Sequence, residues 1–294
     1  MLALRDMSDA HTRRVVTLLA ALTLCAKAQW LNYPVPGTPR TPDGKPNLFA
    51  KAPRAPNGKP DLSGVWQTEF APTGENERLF GASVKDAVVL GDDPRTFSKY
   101  VLNILADFKP EESPLRPGAA ELFRRNVAKR GTRDEQSPTA WCLPQGLPRG
   151  DLFNYAPFKI IQTPIVVAVL YELDNTYRQI YTDGRKLPAD PQPAWLGYSV
   201  GHWEGDSLVV DAAGFNDKTW LDVAGHPHSE ALRIQERFHR RDFGHMDLSV
   251  TIDDPKFYTR PFTVKVTETL LPDSDVLETI CNENEKDRAH LAKP

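Results

Sequence analysis

The segment richest in potential chemistry is Gly225-His226-Pro227-His228-Ser229-Glu230. In extended backbone, side chains at i, i+2 and i+4 share one face, which would gather His226, His228 and Glu230. Two imidazoles and a carboxylate are the ligand set of a facial triad or an open zinc site. His245, in Phe243-Gly244-His245-Met246, is the candidate additional ligand, and His202 and His239 are alternatives to it. The cofactor so implied is a divalent metal, zinc or iron. The same residues also suit a metal-free acid–base site, with His226 or His228 as base and Asp222 or Glu230 orienting it. A structural loop is the third reading, because Pro227 interrupts ladder pairing and imidazoles beside glycine and proline often serve backbone carbonyls.

A second constellation precedes it in Phe215-Asn216-Asp217-Lys218-Thr219-Trp220-Leu221-Asp222. An exposed Trp220 between Asp217 and Asp222 would form a platform for a sugar or aromatic ligand, the ring stacking while the acids hydrogen-bond. The alternative is a loop capped by Asp217, with Trp220 tucked over a barrel mouth. Trp203 is a further candidate ligand contact. Arg178, with Arg149 and Arg185, is a candidate for holding an anionic group, although surface salt bridges account for these arginines equally well. Other templates are absent from the sequence: no Gly-x-Ser-x-Gly elbow, Walker loop, dinucleotide fingerprint or His-Glu-x-x-His occurs.

The elements that must position these residues are mostly strands. From Phe158 onward the pattern turns to period two and short apolar runs, with strands over 158–162, 165–172, 177–182, 198–203, 207–211, 232–240, 246–253, 262–270 and 276–281. Glu204-Gly205-Asp206 between two of them makes the clearest hairpin. Short turns between neighbours imply an antiparallel meander, and a sheet this long must curl into a barrel or split into a sandwich. Helical spacing appears only in an insertion near 94–130, giving two short helices at 94–107 and 117–130. The fold class is therefore mainly β, with a single β-rich domain over 61–294.

Asp61-Leu62-Ser63-Gly64-Val65-Trp66 opens that domain, and a Gly-x-Trp at the first strand resembles the start of lipocalin-like barrels, in which the tryptophan plugs the closed end. Residues 29–60 are a Pro/Gly-rich linker arm with an internal echo, Thr41-Pro42-Asp43-Gly44-Lys45-Pro46-Asn47-Leu48 and Ala55-Pro56-Asn57-Gly58-Lys59-Pro60-Asp61-Leu62. Each copy is turn chemistry. Together with Cys142-Leu143-Pro144-Gln145-Gly146-Leu147-Pro148-Arg149, Gly205-Asp206-Ser207-Leu208-Val209-Val210-Asp211 and the Gly225–Glu230 motif, the Asp61–Trp66 motif resembles a family of exported bacterial proteins of the acidobacterial type. The resemblance spans most of the chain from residue 61. It implies export and carries no catalytic role with it.

Residues 1–28 have the layout of a secretory signal peptide. Arg13 and Arg14 precede an apolar run from Val15 to Cys25, and Ala26-Lys27-Ala28 offers small residues at −3 and −1, so the mature chain would begin at Gln29. The run of about eleven residues is short of the roughly 20 needed to span a bilayer, so no stable membrane insertion is expected. Thr12-Arg13-Arg14 also offers a weak match to a twin-arginine signal. Removing Cys25 with the leader leaves Cys142 and Cys281, an even pair suited to one disulfide in an oxidising compartment, periplasmic or secreted. The formal charge of −3 and pI near 6.2 give no footprint for nucleic acid. The leading expectation is an exported β-barrel that binds a small organic ligand in an apolar pocket near 215–230. The alternatives are a secreted hydrolase or lyase using the histidine motif, metal-assisted or acid–base, and a structural cell-envelope protein.

Overall fold

The computed structural model describes residues 33–71, 97–129 and 137–281. The leader with Cys25, the first residues of the arm, residues 94–96 of the first expected helix and residue 130 of the second lie outside them. Nine strands form one closed barrel: β1 Gly64–Thr68, β2 Phe158–Gln162, β3 Val166–Tyr171, β4 Tyr177–Tyr181, β5 Tyr198–Glu204, β6 Ser207–Ala213, β7 Arg233–Arg240, β8 His245–Asp253 and β9 Phe262–Leu270. The barrel closes through β1, which pairs with β2 on one side and β9 on the other. Alternation dictates the filling. Ile234, Glu236, Phe238 and Arg240 of β7 are buried, as are Met246, Leu248, Val250 and Ile252 of β8, with exposed or half-buried residues between them.

The expected meander is antiparallel except at one step. β4 and β5 run parallel, Ile180 opposite Ser199 and Tyr181 opposite Val200. A parallel pair needs a long crossover, and residues 182–197 supply it. That crossover is tied to the chain leaving β6 by backbone bonds from Ala194 N to Gly214 O and from Asn216 N to Ala194 O, both 2.9 Å. The expected strand at 276–281 is absent because side chains, not a ladder, take its amides: Leu277 N donates to Glu172 and Thr279 N to Asn175.

Of the two expected helices, the second is present as α2, Pro117–Lys129, following α1, Lys99–Leu102. The first is thus a single turn rather than 94–107. Asn103 is extended and its side chain accepts Leu105 N, while the Ile104 N–H is captured by Asp222 Oδ2 at 2.7 Å, so the ladder cannot continue. A third short helix, α3 Arg149–Leu152, carries the buried Asp151.

Trp66 is fully buried and donates from Nε1 to Leu62 O at 2.9 Å. The Arg240 guanidinium lies 4.9 Å over its ring and donates to Asp61 O, Ser63 O and Phe243 O. The arm lies on the barrel rather than hanging free. Its two echoed turns close identically, with Arg40 donating to Gly44 O and Arg54 to Gly58 O. Each arginine then pairs with a barrel carboxylate, Asp273 and Asp206 respectively, both at 2.7 Å. Cys142 and Cys281 form the expected disulfide, with 139 residues of separation. In the chain-entropy model such a loop contributes about 5 kcal/mol.

A charged network crosses the barrel interior. Arg178 of β4 donates to both oxygens of Glu236 on β7, at 3.0 and 2.5 Å, to Asp151 at 3.3 Å and to Ser199 at 2.9 Å. Tyr171 donates to Asp151 at 2.6 Å, and Thr68 donates to Glu268 at 3.1 Å. Burial opposes ionisation of Glu236, but Arg178 outweighs it and holds that carboxyl low. Burial, with the Glu236 charge beside it, pushes Asp151 well up. Glu268, whose Oε2 has no partner among the described residues, is also pushed well up, chiefly by burial. One guanidinium thus serves two carboxyls, and burial disfavours the charged form of Asp151 and of Glu268.

This distribution has a measurable sign. A carboxyl raised by folding supports stability fully below its unfolded pKa, roughly 4.3 for Glu, and loses that support as pH rises through its folded pKa. Glu268→Gln should therefore match the parent in urea denaturation near pH 4 and exceed it at pH 8, by about 1.4 kcal/mol per unit of pKa elevation. Equal pH slopes for the two proteins would refute the assignment.

Candidate functional site

The segment after β6 is built around Asp222. Leu221 N donates to His226 O at 2.9 Å, and Trp220 bridges Pro227, so residues 220–227 form a small hairpin. Gly225, at φ +104°, supplies the left-handed backbone of its turn. Asp222 is fully buried and fills that turn: Oδ1 accepts Gly225 N and His226 N, and Oδ2 accepts Ile104 N and faces His226 Nδ1 at 2.5 Å. Val223 N and Ala224 N donate to Val101 O and Leu102 O, which satisfies carbonyls at the end of α1. From the other side α2 stacks Phe123 on the His226 ring at 4.1 Å, and Asn126 Nδ2 donates to Gly225 O at 2.9 Å.

His228 faces differently. Its Nδ1 lies 3.1 Å from Ser229 O and its Nε2 lies 2.6 Å from Thr219 Oγ1. A carbonyl only accepts, so Nδ1 carries the proton in the neutral ring and Nε2 accepts from the Thr219 hydroxyl. Burial pushes the His228 imidazole below its ordinary value, with partial opposition from Asp254. Asp254 fixes the arrangement by accepting both Ser229 N at 2.6 Å and Ser229 Oγ at 2.8 Å. Gly146, at φ +73°, gives Thr219 its room, since a Cβ there would sit 2.7 Å from Thr219 Oγ1.

Thr219 and His228 reach one wall of a cleft of about 400 Å³ outside the barrel. Leu122 and Asn126 of α2 form a second wall, and Pro138, Trp141 and Leu143, around the disulfide, form a third. Trp195 from the β4–β5 crossover completes it beside Trp220, with Asp217 and Lys218 exposed at the rim. The volume falls in the range of small-molecule sites. Its chemistry is that of three indole rings, one oriented hydroxyl–imidazole pair and two rim charges of opposite sign.

Several sequence expectations land elsewhere. The proposed metal set does not converge: His226 is held by Asp222 and Phe123, His228 by Thr219, and Glu230 is exposed. His245 is engaged by Asp242 at 2.8 Å under the ring of Phe49 from the arm. Among the described residues no group of three or more His, Cys, Asp or Glu could hold a metal. Arg178 is enclosed in the barrel with Glu236 and Asp151, so it is not available to an anionic ligand. Trp203 sits at the far end of β5 from the Trp195 side, half-buried against the core. Trp220 is buried rather than exposed, and Asp222 is a turn filler rather than its flanking ligand group. Asp217 does line the cleft, with Trp220 and His228. Thr219, Asn126, Trp141 and Trp195 were not among the expected site residues. The only local signal for any of them is Thr219 within the loop already singled out.

No family model, curated protein or solved structure matches the chain.

The turn makes a direct prediction. Asp222→Ala leaves buried backbone donors without an acceptor and should cost about 3 kcal/mol in chemical denaturation. A loss below about 0.5 kcal/mol would show that Asp222 does not organise this segment.

Proposed function

We propose that this protein is an exported β-barrel whose function is to bind a small organic ligand with a flat ring face in the external cleft. The observation that carries the reading is the grouping of Trp141, Trp195 and Trp220 around one concavity of ligand size. Indole faces offer large apolar area at low entropic cost, and they bind rings from either face. Walls drawn from α2, the disulfide segment, the crossover and the β6–β7 loop make the cleft pre-organised, which lowers the cost of binding. The filled barrel interior supports the same location, because side chains and the Arg178 network occupy the space that a lipocalin-like barrel would leave for a ligand.

A second reading rests on the 2.6 Å contact between Thr219 Oγ1 and His228 Nε2. A neutral imidazole accepting from a hydroxyl is the resting state of a general-base pair, which would make the protein a hydrolase or lyase. Titration of tryptophan emission with cellobiose, maltose, N,N′-diacetylchitobiose and benzoate tests the binding reading. At least one probe should bind, and Trp195→Ala should weaken it by about tenfold without lowering the melting temperature. Failure of all four would sink the cleft as a ring site. Under the second reading p-nitrophenyl acetate would also turn over, and His228→Ala would stop it; binding without turnover separates the two.

Export has its own test. Protein recovered from the periplasm or medium of a bacterial host should begin at Gln29, and the Cys142–Cys281 bond supports an oxidising destination. Recovery only in the cytoplasm with the amino terminus intact would overturn it.

A further inference from the structure

We propose that the ring this cleft selects is a carbohydrate, chosen by its hydroxyl donors, a specification that rests on the cleft being the binding site. The inner wall is polarised by a chain of forced hydrogen bonds. Ser229 O can only accept, so His228 donates from Nδ1 and must accept at Nε2. Thr219 spends its single proton on that nitrogen, and its oxygen has only lone pairs left to offer the cleft. Burial disfavours the charged imidazole of His228, which supports this direction.

Asn126 is oriented by the same logic. Gly225 O can only accept, so the amide nitrogen of Asn126 faces it at 2.9 Å and the amide oxygen is left over. That oxygen accepts from no described residue, and the side chain is buried to 4 % exposure while lining the cleft. Two fixed acceptors therefore stand on the inner walls, on α2 and on the loop after β6. The Asp217 carboxylate adds acceptors at the rim, where Lys218 is the charged donor.

A ligand that fits must bring donors inward while laying a flat apolar face on indole. Sugar rings do both, since their C–H faces stack on aromatic rings and their hydroxyls donate at the edge. A planar aromatic acid stacks equally well but turns acceptors toward acceptors, and buried polar groups left unpaired discriminate strongly.

Calorimetric titration with the same three disaccharides, their permethylated forms and benzoate tests this. Permethylation keeps the ring and its oxygens but removes every donor. At least one disaccharide should bind, and its permethylated form should bind at least about tenfold more weakly. Thr219→Val should weaken the disaccharide by about tenfold, whereas Thr219→Ser, which keeps the hydroxyl, should stay within about twofold. A permethylated sugar that binds as well as its parent overturns the proposal, and this comparison, made on the unaltered protein, stands even if Thr219→Val does not fold. Benzoate binding without any disaccharide overturns donor selection and leaves the cleft reading intact. Binding by neither class overturns both.

Discussion

The Arg178–Glu236 pair inside the barrel is the contact on which the rest of the architecture depends. It joins β4 to β7, strands that are not neighbours, across the interior, and it draws in Asp151 from α3 and Ser199 from β5. A buried charge left without its partner typically costs about 3–5 kcal/mol, so neither residue can be lost singly without penalty. Burial disfavours the charged form of two neighbouring carboxyls, Asp151 and Glu268, so Glu236 is the carboxylate that Arg178 holds low. The interior face thus carries core side chains and this charged network, while the cleft lined by Trp141, Trp195 and Trp220 lies outside the barrel.

What forms that outside space is a set of satisfied backbone groups rather than a second core. Asp222 collects amides from its own turn and from Ile104, and the turn in turn covers the carbonyls of α1. Asn126 and Phe123 seat α2 on the same turn. Asp254 holds Ser229, which holds His228, which orients Thr219. The orientation of one hydroxyl at the cleft is therefore fixed by a carboxylate three links away.

The strands were legible because alternation is enforced at every interior position of a closed barrel, and it even places Arg178 on the face of Ile180 and Glu236 on the face of Phe238. Their pairing was not legible, since nothing local in Arg178 names Glu236 as its partner. The parallel β4–β5 step left no mark beyond a long connection. The first helix was overread because apolar spacing in 97–105 matches a helix, while its actual end depends on an aspartate more than a hundred residues away. In the site, the Gly225–Glu230 motif overlaps the turn built around Asp222. Its alternation suggested a shared face, but the turn sends His226 to α2 and His228 to Thr219. The indoles of Trp141 and Trp195 are separated along the chain by β2, β3 and β4, and only the tertiary fold brings them to one cleft.

The Cys142–Cys281 bond joins the Trp141 wall of the cleft to the segment that follows the last barrel strand. Residue 281 follows the final strand, and β1 can close the barrel only when that strand exists. In a chain made from its amino end, the tie on that wall can consequently form only after all nine barrel strands have been made. A molecule reduced at this bond, or cut before residue 281, would therefore lose the covalent tie that fastens the third wall of the cleft to the chain beyond β9.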